Sequence, residues 1–100
     1  MNRLKELDKL EAYLKRKGIQ YQRVDIPADE NNIEHHQIAV PCIMEEREWD
    51  AVCQPGSYGY PYGFIEIMGK IVDKEYKYGV QGWLTAADVI ERIERRERDA

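Results

Sequence analysis

Leu4, Leu7, Leu10 and Leu14 recur about one helical turn apart, with Tyr13 beside them and Lys, Glu and Asp filling the opposite face. That spacing predicts an amphipathic helix over residues 2–17, capped by Asn2 or by the chain start and stopped by Gly18. Ile19–Ile26 is rich in β-formers and predicts a strand ended by Pro27. The polar stretch PADENNIEH at 27–35 has no apolar period and predicts a loop. In residues 36–44, Ile38, Val40, Cys42 and Met44 alternate onto one face. Pro41 cannot donate to a ladder, so this segment is expected to be an edge strand or to bulge there. After the charged connection 45–48, Trp49, Ala51 and Cys53 resume the alternation. The two segments read as a hairpin whose exposed face carries Asp50 and Gln54.

The stretch PGSYGYPYG at 55–63 interleaves tyrosine with Gly and Pro. Beyond it, Phe64, Met68, Ile71 and Val72 fit a helix face, and Pro61 suits a first helical position. Ile65 and Ile67 set against Phe64, Glu66 and Met68 would equally fit a strand; the reading adopted is a short helix over 62–72 with Gly69 near its end. Residues 73–79 predict a charged turn and 79–84 a short strand. Thr85 and Asp88 form a capping box ahead of a helix whose apolar face is Ala86, Val89, Ile90 and Ile93. Residues 94–100 are almost all charged and are expected to project into solvent or fray. The order is α-β-β-β-α-β-α. It describes an α+β fold, one domain over residues 1–100, with helices on a mainly antiparallel sheet.

A chain of 100 residues, 43% apolar, supplies one core and argues against disorder. Its apolar runs are only a few residues long, too short for a membrane span. The N-terminus alternates charge with leucine instead of presenting the apolar block of a signal peptide, so a soluble, cytoplasmic protein is expected. The net charge is -4 and unevenly placed: residues 1–18 hold six basic and three acidic groups, residues 19–85 five and eleven. An acidic middle opposes binding to long nucleic acids, and Lys15, Arg16 and Lys17 fit the last turn of a helix. Cys42 and Cys53 fall at inward strand positions and are expected to be reduced, buried thiols.

Few residues suggest chemistry. His35 and His36 with Cys42 and Cys53 lack the paired spacing of a zinc site, and adjacent histidines on a strand point apart. They read as surface histidines at a loop–strand junction. Asp50 with Glu75-Tyr76-Lys77 resembles the acid and Glu-x-Lys trio of metal-dependent nucleases, but there those groups occupy neighbouring strands, and here a turn carries the triplet. Ser57 has no nucleophile-elbow context. Tyr58, Tyr60 and Tyr62 are the stronger signal, because flat amphipathic rings among Gly and Ser suit a binding surface. The competing reading is a lid over one end of the core. Trp49 and Trp83 are both expected in the core. No cofactor and no metal are expected.

The block Trp49-Asp50-Ala51-Val52-Cys53, Gly56-Ser57-Tyr58-Gly59-Tyr60, Glu66-Ile67-Met68-Gly69 and Leu84-Thr85-Ala86-Ala87-Asp88-Val89 resembles small uncharacterised phage and prophage proteins of Gram-positive bacteria. The likeness spans residues 36–95 and the leading helix. That family has no assigned activity, so the resemblance transfers no functional residue. It implies an accessory phage gene expressed in the host cytoplasm, of a kind that binds and inhibits host machinery, including defence systems. The reading is therefore a non-enzymatic protein, expected to be a homodimer, that binds a host or phage protein. Tyr58, Tyr60, Tyr62, Ser57 and Asp50 are its candidate binding residues. Two alternatives stay open: a nucleotide sponge that stacks a base on the tyrosines, and a metal-dependent nuclease centred on Asp50.

Overall fold

The computed structural model describes residues 2–43, 47–76 and 79–99. The expected leucine helix forms as α1, Lys5–Lys17. Asn2 Oδ1 accepts from the Leu4 N–H just ahead of it, at 2.9 Å. Gly18 closes α1 at φ 70, where the Ile19 N–H returns to the Leu14 carbonyl at 3.0 Å. Five strands follow: β1 Gln22–Ile26, β2 His35–Val40, β3 Trp49–Val52, β4 Ile65–Gly69 and β5 Val80–Leu84. They pair in chain order, each antiparallel to the next. The chain ends in α2, Ala86–Arg98, opened by the Thr85–Asp88 capping box. The α+β class and the antiparallel sheet are as read from the sequence; the element order is α-β-β-β-β-β-α, one strand richer and one helix poorer.

The core lies between the helices and one face of the sheet. Leu7, Leu10 and Leu14 of α1 and Val89 and Ile93 of α2 meet Ile38, Ala51, Ile65, Ile67 and Leu84. Alternation puts Gln37, Ala39, Asp50, Val52, Glu66, Met68 and Val80 on the other face, where no helix packs among the described residues.

Four expectations are corrected. Residues 65–69 form a strand, because Ile65 and Ile67 both reach the core and pair with Leu84 and Gln81. The helical spacing of Phe64, Met68 and Ile71 is coincidental: Met68 is exposed on the open face. Second, β2 is internal, between β1 and β3. It ends at Val40, so the missing N–H of Pro41 falls outside the ladder. Third, the C-terminal end does not fray: α2 is helical through Arg98, with Arg95 reaching Asp73 at 2.9 Å and Arg96 reaching Glu48 at 3.0 Å, while residues 97–99 are exposed to solvent as expected. Fourth, Trp83 is 55% exposed, whereas Trp49 is in the core as expected. The Met44 strand position and the acidic pair Glu45-Glu46 lie outside the described residues.

Candidate functional site

The Tyr/Gly loop folds onto β5, and glycine makes that approach available. A Cβ on Gly59 would stand 2.6 Å from the Phe64 Cβ, and Gly59 itself sits at φ 94. The Trp83 N–H donates to the Tyr58 carbonyl at 3.2 Å, tying loop to strand. The Ser57 hydroxyl closes the turn before them, donating to the Gln54 carbonyl at 2.7 Å and accepting from the Gln54 N–H at 3.0 Å. Ser57 is buried in that role.

β5 carries an irregularity that aims the loop's neighbours. Ile65 pairs with Leu84 and Ile67 with Gln81, so Glu66 alone opposes both Gly82 and Trp83. This β-bulge leaves Trp83 at φ 60, a left-handed conformation that a bulky residue adopts only when its surroundings impose it. The indole is turned outward, packed against Tyr62 at 6.0 Å and Phe64 at 5.9 Å between ring centroids.

The three tyrosines do not lie on an extended segment: Tyr60–Tyr62 form one 3-10 turn between the left-handed Gly59 and Gly63, and that turn sets which rings face out. Tyr58 and Tyr62 are 61% and 72% exposed. Tyr60 turns inward, where its hydroxyl donates to Glu34 at 3.0 Å and Arg3 lies over its ring. Tyr58 joins Trp83, Tyr76 and Val80 around a cavity of about 620 Å³ on the open sheet face, with Glu66 and Gly82 also in its lining. Burial raises the Glu66 pKa, the nearby Asp50 charge pushes the same way, and the Tyr58 backbone N–H partly offsets both. Among the described residues, Glu66 forms no ion pair with a basic side chain.

Asp50 is not on an exposed hairpin face as expected. It is buried on the open side of the sheet, where it accepts from Gln37 Nε2 at 2.6 Å and from Arg47 at 3.0 Å. Long side chains on the neighbouring strand and in the preceding segment cover it. Glu75 lies in the turn after β4, and Lys77 falls outside the described residues. Among the described residues no group of three His, Cys, Asp or Glu side chains is placed to hold a metal ion.

His36 is likewise no surface histidine. It is buried, with Nδ1 2.7 Å from Asp25 and Nε2 2.5 Å from Glu34. Burial disfavours its charged ring, but the hydrogen bonds and charges of the two carboxylates outweigh that and raise its pKa. Cys53 is a fully buried thiol whose pKa burial pushes to about 11, which leaves it unreactive near neutrality.

Sequence reading missed three members of this site. The core reading of Trp83 fails because nothing in one sequence marks the bulge that turns it out. Glu66 was hidden by the helix reading of 62–72, and Tyr76 by its place in a charged turn. The usable signal was Gly82 before Trp83, since an isolated Gly in a strand marks a bulge or a close backbone approach.

The fold and site define a small α+β protein with a two-helix layer on one sheet face and an aromatic-rimmed cavity on the other. No protein-family model, curated protein or solved structure matches the chain. No helix among the described residues is long and apolar enough to cross a membrane.

Proposed function

We propose that this is a non-enzymatic binding protein that docks a protein partner on its open sheet face, through Trp83, Tyr58 and Tyr62. One observation carries the reading: the indole of Trp83 is held outward at φ 60 in a bulge, beside two exposed tyrosines. Backbone strain of this kind is worth about 1–3 kcal/mol and persists at sites where geometry serves a function. Trp and Tyr are also the residues most enriched among binding hot spots. The acidic surroundings of Glu66 and Asp50 favour a protein over the nucleotide of the sponge alternative, whose phosphates they would repel. Gln37 and Arg47 already engage Asp50, which favours a binding protein over a nuclease centred on that residue. The resemblance to phage accessory proteins makes a host or phage protein, such as a defence component, the partner to test first.

Affinity capture from phage-infected and uninfected host lysate tests this with three baits: the native chain, Trp83→Ala, and Tyr58→Ser with Tyr62→Ser. A protein retained by the native chain and lost from both variants, with melting temperatures unchanged, supports the reading. Equal retention by all three baits, or a nucleotide released from the purified protein by heat, overturns it. Light scattering of the purified chain checks the expected homodimer.

A further inference from the structure

The cavity between the Tyr58 loop and β5 combines two features that a plain apolar docking patch lacks. Three of its lining residues, Tyr58, Tyr76 and Trp83, are aromatic, and each is more than 40% exposed. Its polar member is a carboxylate, Glu66, with no basic partner among the described residues. Ring faces are electron-rich and attract cations within about 6 Å, with Trp the strongest. A half-desolvated carboxylate adds an opposite charge in a setting where water screens it less than at an open surface. Asp50, on the adjacent strand, is already engaged by Arg47 and Gln37, which leaves Glu66 as the carboxylate in the cavity lining. At about 620 Å³ the space lies within the usual range of ligand pockets.

We propose that this cavity takes an alkylammonium head group, presented by a lysine or N-methylated lysine side chain of the protein partner. The ammonium sits against Trp83 and the tyrosines with Glu66 as its counter-charge, and the aliphatic stem runs out past Val80. This inference rests on the docking reading above and names what that surface recognises.

The test titrates the purified chain with choline and with 3,3-dimethylbutan-1-ol, its uncharged isostere, following the Trp83 indole N–H resonance. Choline is expected to shift that resonance saturably, and the neutral alcohol to bind at least about tenfold more weakly, the preference cation–π attraction and one counter-charge supply. Glu66→Gln should weaken choline by about tenfold and leave the alcohol unchanged, with the melting temperature confirming the fold. Butylammonium should behave like choline, as a free lysine head group would. Equal binding of cation and isostere overturns the proposal, as does no shift with either probe. The two readings separate in the capture assay. If Glu66→Gln retains a partner that Trp83→Ala loses, docking stands and the cation proposal falls; if Trp83→Ala retains it, the docking reading falls.

Discussion

Tyr58 rests on the backbone of Gly82 so closely that a Cβ there would stand 2.3 Å from the tyrosine Cβ and 3.0 Å from its carbonyl oxygen. The contact joins the Tyr/Gly loop to the bulge of β5. It is also what places an exposed tyrosine at the cavity that Trp83 borders. Glycine at 82 is therefore a condition of the site's shape.

Gly82→Ala should displace the loop from β5. Overpacking of this kind costs about 1–3 kcal/mol, and here the colliding atoms include backbone, which cannot swing aside. The expected outcome is a lower melting temperature together with a moved Trp83 indole resonance. An unchanged resonance would mean that the loop does not depend on this contact.

The pH dependence of stability follows from His36. Its pKa is raised in the folded protein, so its stabilising contribution is complete below the unfolded value of about 6.5 and is lost as pH rises through the folded value. Asp25 works in the opposite direction. Burial alone would raise its pKa, yet bonds from His36 and Arg23 lower it, so its contribution is present above about pH 4 and is lost as pH falls. Stability should therefore be greatest between about pH 4 and 6.5. His36→Gln should flatten the fall on the alkaline side, measured as melting temperature against pH.

Periodicity sufficed where one face alone was buried. The Leu7, Leu10, Leu14 stripe, the Ile38/Val40 and Trp49/Ala51 alternations, and the Thr85–Asp88 cap each carry a signal within a few residues. It failed at 64–72, where six apolar residues can be read with either period and only pairing with β5 decides. It also failed for charged or aromatic side chains whose burial depends on distant partners. His36 goes inside because Asp25 and Glu34 are brought to it, and Asp50 because Gln37 and Arg47 cover it. The exposed tyrosines were legible from the Gly/Pro spacing; the tryptophan that joins them was not.

Leu10 is fully buried between α1 and the sheet. Leu10→Ala should cost about 2–5 kcal/mol, read as a shifted denaturation midpoint at unchanged slope. A loss below about 0.5 kcal/mol would be that of a surface position and would contradict this packing.

Asp73 holds α2 to the turn after β4. It accepts from Arg92 and Gln81, each at 3.0 Å, and from Arg95 at 2.9 Å. Arg92 and Asp73 are both largely shielded from solvent. Asp73→Ala leaves the Arg92 guanidinium without its carboxylate and should destabilise by about 1–3 kcal/mol. Chemical denaturation at low and high salt would check it, since a partly buried cluster is screened less than surface pairs.

The tyrosines divide into one that holds the structure and two that are free to bind. Tyr60 bonds Glu34, which also contacts His36, so Tyr60→Phe removes a link in a charged, partly buried network. It should lower stability by about 1.5–3 kcal/mol, the range for a hydrogen bond to a charged group. Tyr58 and Tyr62 present most of their area to solvent. Replacing either by Ser should change stability by less than about 1 kcal/mol while weakening partner capture by about 1–2 kcal/mol per ring. Tyr62 also packs against Trp83, so its loss should shift the indole resonance, whereas Tyr60→Phe should leave it in place. If Tyr58→Ser and Tyr62→Ser each lower the melting temperature by several degrees, the rings serve as a lid over the core and the docking surface lies elsewhere.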